Sequence, residues 1–359
     1  MNNESLHILP ERRERLRRSL SDEGLGGYLV LHPANRFYLS GFELHDPQCN
    51  ESAGCLLISR SGEEWLCTDP RYEEAARSLW PEDRLFIYRS NRNEELAAFL
   101  SKLNLQPVGF ESNVISYELH AALSAASELT PSKGLVEDLR KQKDEQEIEL
   151  LRRSCALNHE VMAAIEADPR IGETERDLAW ALEKMFREQG ASELSFTPIV
   201  ASGPSGARPH HIPGKAPIAR DASLLVDMGA RLNDYCSDQT RSFWIGESPP
   251  SYFQETLDLV QSAQQLAIEA IRPGLELQEL YHKVKGYFAR FGVEASFTHA
   301  LGHGIGLETH ELPGLGPKSQ GVLEAGMVIT IEPGLYFPEW GGVRWEHMVL
   351  VSEDGGHVL

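Results

Sequence analysis

Apolar residues follow two rhythms along this chain. In the first third, GGYLVLH, GCLLISR and RLFIY are short apolar runs of the kind that form strands, whereas PRYEEAARSLW and NEELAAFLSKL space their apolar residues three to four apart, as one face of a helix requires. Strands alternating with helices predict an α/β domain over residues 1–137. The charged stretch VEDLRKQKDEQEIELLRRS follows, with apolar residues emerging at Ile148, Leu150 and Leu151. It reads as a linker feeding a long helix, and a second domain is expected over residues 138–359.

The second domain repeats itself. GETERDLAWALEKMFREQG (172–190) and GLELQELYHKVKGYFARFG (274–292) align at an offset of 102, matching Gly172 with Gly274, Leu178 with Leu280, Leu182 with Val284, Phe186 with Phe288 and Gly190 with Gly292. Each reads as an amphipathic helix closed by a glycine. Each is preceded by a helix-like segment and followed by a phenylalanine (Phe196, Phe297), then histidines, then a paired-strand region. The expectation is an α+β domain of two similar halves about a pseudo-two-fold axis, with a site at the seam.

Both paired-strand regions present two carboxylates. SLLVDMGARLNDYCSDQTRSFWIG reads as strand, turn, strand; centred between Leu232 and Asn233, it sets Asp227 directly opposite Asp238. Opposed residues share a face with Cβ atoms about 5 Å apart, so two buried acids there repel unless protonated or bridged by a cation. In GMVITIEPGLYFPEWGGVRWEHMVLV, Glu339 lies midway between Glu332 and Glu346, which can oppose in the same way. Four such carboxylates form an oxygen-rich nest suited to divalent cations.

The stretch HALGHGIGLETHE (299–311) places His299 and His303 four apart, as in the zinc-binding H-E-x-x-H helix, but residue 300 is Ala and Gly302, Gly304 and Gly306 oppose a helix. An extended, glycine-flanked segment brings one imidazole close to a metal instead, and His303, between two glycines, is the best candidate. His299 and His310 are then second-tier or substrate-contacting groups. ARPHHIPG supplies His210 and His211 in the first half.

Charge and cysteine usage narrow the class. With 34 Lys and Arg against 54 Asp and Glu, the net charge is −20, which argues against sequence-independent binding to nucleic acid or anionic membranes. MNNESLHILPERRERLRRSL lacks the apolar core of a signal peptide, and no run approaches a membrane span, so a cytoplasmic protein is expected. Five cysteines, Cys49, Cys55, Cys67, Cys155 and Cys236, are scattered without a C-x-x-C pair and suggest reduced thiols.

Asp227, Asp238, His303, Glu332 and Glu346, in that order and with the flanking runs FTPIVASG, PHH, GHGIGLETHELP, TIEPGLY and GGVRWEHMVLV, resemble the pita-bread metallopeptidases of the Xaa-Pro aminopeptidase and prolidase branch. NRFYLSGF and TDPRYEEAA resemble that family's creatinase-like amino-terminal domain. The resemblance implies two divalent metal ions per subunit, with Asp227 on the second, Asp238 and Glu346 bridging both, and His303 with Glu332 completing the first. It implies active-site roles for His210 and His310 at the scissile carbonyl, a proton-shuttling role for Glu332, and supporting polar roles for Thr240, Arg241 and Arg344. It also implies a homodimer. One His among carboxylates suits Mn²⁺, with Co²⁺ or Zn²⁺ as alternatives.

The expected activity is hydrolysis of the Xaa-Pro bond at the N-terminus of peptides with proline second. Two positions depart from the family pattern. His347 follows Glu346 where an acidic residue is usual, and Gly314 follows Pro313 where prolidases that grip a dipeptide carboxylate often carry Arg. The second departure favours an Xaa-Pro aminopeptidase over the alternative, an Xaa-Pro dipeptidase. A creatinase-like hydrolase, a non-catalytic binding protein and a methionine aminopeptidase fit less well, the first two because all five ligands are present.

Overall fold

A computed structural model of the chain describes residues 7–48 and 51–359; Cys49 and the first six residues of the stretch read above for a signal peptide lie outside them. The chain forms two compact units, Met1–Arg140 and Lys141–Leu359.

The first unit runs α1 (Leu9–Asp22), β1 (Gly27–Val30), α2 (Pro33–Ser40), β2 (Cys55–Ser59), β3 (Glu64–Thr68), α3 (Glu73–Leu79), β4 (Leu85–Ile87), α4 (Arg92–Leu103), β5 (Val108–Glu111), α5 (Tyr117–Ser124), β6 (Leu129–Ser132) and α6 (Leu135–Lys141), whose last turn reaches the boundary. Its mixed six-stranded sheet has the order β4-β3-β2-β1-β5-β6. Every residue of β1 and β2 is buried, which explains why their sequences are continuous apolar runs rather than alternating ones. Leu29, Leu57, Trp65, Phe110 and Leu119 anchor the core. Glu111, at the end of β5, accepts hydrogen bonds from Leu31 N (2.6 Å), His32 N (2.5 Å) and Asn35 Nδ2 (2.6 Å), fixing the turn into α2.

The second unit opens with α7 (Glu145–Ala167), started by a capping box in which the Asp144 carboxylate accepts Glu147 N and Glu147 accepts Asp144 N. The linker expected before it is in part helical, as α6. A second capping box, Thr174 with Asp177, starts α8 (Glu175–Glu188). Then come β7 (Glu193–Leu194), β8 (Ile199–Ser202), β9 (Ala222–Met228), β10 (Ala230–Leu232), β11 (Tyr235–Cys236) and β12 (Gln239–Ile245). The second half runs α9 (Ser251–Ile268), α10 (Leu277–Ala289), β13 (His303–Gly304), β14 (Glu311–Gly314), β15 (Val328–Ile331), β16 (Gly334–Phe337), β17 (Gly341–Arg344), β18 (His347–Ser352) and β19 (Gly355–Val358).

The halves repeat in detail. Gly172 and Gly274 take the same left-handed backbone, φ 88° and 85°, and donate equivalent bonds to Ile218 O (2.9 Å) and Leu323 O (2.8 Å). Each helix pair covers its own core: Leu178, Leu182 and Phe186 of α8 lie with Leu224 and Val226, and Leu280, Val284 and Phe288 of α10 lie with Ile329 and Val349. The first half carries the sheet β12-β9-β8 and the second the sheet β14-β13-β15-β18-β19.

The register of the first hairpin differs from expectation. Asn233 (φ 49°) and Asp234 (φ 75°) form its two-residue turn, as a type I′ hairpin demands, so Leu232 pairs with Tyr235 and Asp227 pairs with Thr240 rather than Asp238. In the second half Ile331 pairs with His347 and Gly334 with Arg344, a register that sets Glu332 level with Glu346.

Candidate metal centre

A cavity of about 510 Å³ is lined by His210, Asp227, Asp238, His303, His310, Glu332 and Glu346, the seven residues expected from the sequence to bind metal or act at the scissile carbonyl. Asp227 is the penultimate residue of β9, Asp238 precedes β12, Glu332 follows β15 and Glu346 precedes β18. Strand ends fix these carboxylates because the neighbouring ladder bonds hold the peptide groups before or after them.

Asp238, His303 and Glu346 each offer a ligand atom within 4.8 Å of the other two. His303 Nε2 lies 3.6 Å from both Asp238 Oδ2 and Glu332 Oε1. His303 Nδ1 lies 3.0 Å from Gly304 O, to which it donates, leaving the Nε2 lone pair facing the acids. The flanking glycines make this approach possible: a Cβ on Gly302 would collide with Thr330 O, and one on Gly304 with Leu312 O. Thr330 Oγ1 also accepts His303 N at 3.1 Å.

Electrostatics mark the cluster as incomplete without positive charge. Burial, followed by the charges of Glu346, Asp227 and Glu332, pushes the Asp238 carboxyl well above its ordinary range. Burial and then Glu346 do the same to Glu332, and burial and then Asp227 push Glu346 up to about 8. Burial pushes His303 down to about 3. A buried, neutral imidazole beside crowded acids is the state from which cation binding is favourable. One oxygen of each outer acid is already committed: Arg344 Nη2 donates to Asp227 Oδ2 at 2.6 Å, and Thr240 Oγ1 donates to Glu346 Oε2 at 2.8 Å. Their other oxygens, Asp227 Oδ1 and Glu346 Oε1, are buried with no hydrogen-bond partner. Two orphaned carboxylate oxygens in a cavity shared with a histidine lone pair fit a divalent cation centre.

His210 and His310 are exposed to the cavity, and the His310 ring lies 4.1 Å from that of His303, edge to face. Burial holds His310 below its ordinary value, so it is a neutral N–H donor near pH 7. His299 lines the same cavity; its Nδ1 lies 2.7 Å from Ala300 O and its Nε2 2.9 Å from Tyr336 OH. Tyr336, which sequence reasoning missed, also accepts Arg344 Nη1 at 2.9 Å and so steadies the guanidinium that holds Asp227. Arg241 donates to Glu346 O (2.5 Å) and lies 2.7 Å from His347 Nε2. Burial, then Arg241 and His159, pushes His347 down to about 3. Glu175 was missed as well. It is 1% exposed at the start of α8 and holds the loop that carries His210, through His211 Nε2 (2.8 Å) and Gly214 N (3.0 Å).

Similarity to known proteins agrees with this geometry. Residues 149–353 match the model of metallopeptidase family M24, and residues 12–142 match the creatinase/prolidase N-terminal domain. The chain is 33% identical over 356 residues to an Xaa-Pro dipeptidase of Pyrococcus furiosus, covering 98% of each sequence. Its structure is similar to that of an Xaa-Pro dipeptidase from Bacillus anthracis, with a TM-score of 0.91, 34% identity and coverage of 98% of this chain and 97% of that one. An X-Pro aminopeptidase from Thermotoga maritima is similar at a TM-score of 0.86 and 29% identity, covering 96% of each chain. The chain belongs to the M24 metallopeptidases, with a pita-bread catalytic domain behind a creatinase-type N-terminal domain. No helix among the described residues is long and apolar enough to cross a membrane.

Proposed function

We propose that this peptidase is an Xaa-Pro dipeptidase that works with two divalent metal ions, Mn²⁺ in the first instance, held by Asp227, Asp238, His303, Glu332 and Glu346. The observation that carries the metal reading is the pair of orphaned oxygens, Asp227 Oδ1 and Glu346 Oε1, in a cavity shared with the His303 lone pair. The relatives named as Xaa-Pro dipeptidases and prolidases favour the dipeptide substrate over the aminopeptidase reading expected from Gly314. Cations bound here supply Lewis acidity to the scissile carbonyl and acidify the attacking water.

The chain's own residues do the rest. Glu332, whose carboxyl is held above its ordinary range, takes a proton at its carboxylate and returns it to the prolyl nitrogen, a tertiary amide that leaves only when protonated. His210 and His310 donate N–H bonds to the oxygen that gains charge in the transition state. Phe196, Ile199 and Ile212 supply apolar wall for the substrate and exclude water.

One observation favours a second reading, the Xaa-Pro aminopeptidase. Gly314 gives its part of the cavity wall no cation to grip the carboxylate of a dipeptide. Protein reconstituted separately with Mn²⁺, Co²⁺ and Zn²⁺ and offered Ala-Pro and Ala-Pro-Ala separates the two. Cleavage of Ala-Pro as the better substrate is expected; cleavage of Ala-Pro-Ala alone establishes the aminopeptidase, and inactivity on both with every metal removes the Xaa-Pro reading. A homodimer, the assembly implied by the family resemblance, is checked by light scattering on the same sample.

A further inference from the structure

Behind the carboxylates lies a hydrogen-bond chain that the proposed activity does not use. Gln264, on α9 and buried, lies 2.9 Å from His347 Nδ1 through its Oε1, and its Nε2 donates to Ile331 O (2.7 Å) and Trp345 O (3.0 Å). On the far side of His347, Nε2 lies 2.7 Å from Arg241 Nη2. The direction of every bond in this chain is determined. A guanidinium only donates, so His347 Nε2 accepts; the imidazole proton then sits on Nδ1 and is donated to Gln264 Oε1. That leaves the Gln264 amide group to serve two carbonyls, which need donors.

The two carbonyls belong to the residues immediately before Glu332 and Glu346. Arg241, at the other end, donates to the carbonyl of Glu346 itself at 2.5 Å and lies over the Trp345 ring at 4.4 Å. The chain from Arg241 through His347 to Gln264 therefore ties both glutamate-bearing backbones to a single helix. It also gives a physical meaning to the departure at His347. A carboxylate at that position could accept from Arg241 but could not donate to Gln264 Oε1, whereas imidazole does both.

We propose that Gln264 and His347 are positioning residues for the metal centre: together they set the separation of Glu332 and Glu346 by holding the peptide groups that precede them. This rests on the metal reading above. Outer partners of ligands commonly change metal affinity by about 10- to 100-fold, and that is the effect expected here.

The test is calorimetric titration of metal-free protein with Mn²⁺ for the parent, Gln264→Glu and Gln264→Met, with Gln265→Glu as the exposed neighbouring control. Gln264→Glu keeps the shape but presents oxygens to the two carbonyls; Gln264→Met keeps the length and removes all three bonds. The expected result is a Mn²⁺ dissociation constant raised at least tenfold in both variants and unchanged in the control. KM should stay near the parent value and kcat should recover at saturating Mn²⁺. A purely structural role would lower the melting temperature of the metal-free variants and leave Mn²⁺ affinity within twofold of the parent, which overturns the proposal. If one variant fails to fold by circular dichroism, the other is read alone; failure of both to fold counts as the structural outcome. A parent that binds no Mn²⁺ overturns the metal centre and this inference with it, whereas a parent that binds as tightly as its variants overturns this inference alone.

Discussion

Replacing Glu175 by Gln changes one oxygen for an amide group and should cost both stability and turnover, although Glu175 does not line the cavity. Its carboxylate receives three donors: Ser202 N at 3.0 Å, Gly214 N at 3.0 Å and His211 Nε2 at 2.8 Å. The side chain is buried, so none of these donors is readily rescued by water. A hydrogen bond to a charged group contributes about 1.5–3 kcal/mol, and a buried donor left unpaired costs about 1–3 kcal/mol. Gln keeps one oxygen for Ser202 but turns its amide toward His211 and Gly214, so a loss of about 2–4 kcal/mol is expected. In a unit of this size that lowers the melting temperature by roughly 4–16 °C at about 2–4 °C per kcal/mol.

The same substitution frees the loop that carries His210. Misplacing a group by about 1 Å can cost about a hundredfold in rate, so kcat should fall strongly while Mn²⁺ stoichiometry stays at the parent value, because no proposed ligand is touched. The pH response adds a signature. Burial alone would raise the Glu175 carboxyl, but the bonds from His211, Ser202 and Gly214 together hold it below its ordinary value. Its contribution is therefore present above the unfolded carboxyl range near 4.5 and lost as pH falls through the lower folded value. Melting curves from pH 6 to pH 3 should show a steeper loss for the parent than for Glu175→Gln. An unchanged melting temperature, or a full kcat, refutes the account of this loop.

Three further outcomes are expected. Asp238→Ala should abolish metal binding as well as turnover, measured by elemental analysis after dialysis; retained stoichiometric metal refutes a bridging role. Metal-free protein should lose stability as pH rises from 6 to 9, because Glu346, pushed up to about 8, binds a proton in the folded state that the unfolded chain has released; melting in EDTA checks this, and a metal-free form that becomes more stable over that range contradicts it. Gly302→Ala places a methyl group against Thr330 O and should destabilise the protein by about 1–3 kcal/mol while weakening metal binding through displacement of His303, read by denaturant unfolding and Mn²⁺ titration.

The fold was legible where periodicity or chain punctuation carried it. The offset of 102 between Gly172 and Gly274 corresponds to equal backbone angles and equivalent hydrogen bonds, so the repeat in sequence is a repeat in conformation. The strands β1 and β2 were visible because burial on both faces leaves no polar positions to interrupt them. The positioning groups were not legible. Glu175 reaches His211 across 36 residues, and Gln264 reaches Ile331 and His347 across 67 and 83. No local spacing rule connects such positions; in sequence Glu175 is an acid in a first helical turn and Gln264 a polar residue within a helix.

The first hairpin explains why a register other than the expected one still leaves Asp227 and Asp238 lining one cavity. Expectation paired Asp227 with Asp238, whereas the Asn233–Asp234 turn pairs Asp227 with Thr240, a slip of two residues. Side chains alternate faces with a period of two, so a slip of two leaves Asp238 on the face it was assigned and moves it only to the diagonal position; a slip of one would have turned it away. The slip also brings Thr240 opposite Asp227, where its hydroxyl donates to Glu346 and accepts from Arg344 Nε at 3.0 Å. A direct Asp–Asp pair would have concentrated two charges at one rung of the ladder. The observed register separates them and presents to the second half a hydroxyl that serves both an acid and a guanidinium there. Thr240→Val should therefore remove two bonds between the halves at once: it leaves Glu346 Oε2 without its donor and Arg344 Nε without its acceptor, at a cost of about 2–4 kcal/mol. A loss below about 1 kcal/mol in denaturant unfolding would mean that the Thr240 hydroxyl contributes little to holding the two halves together.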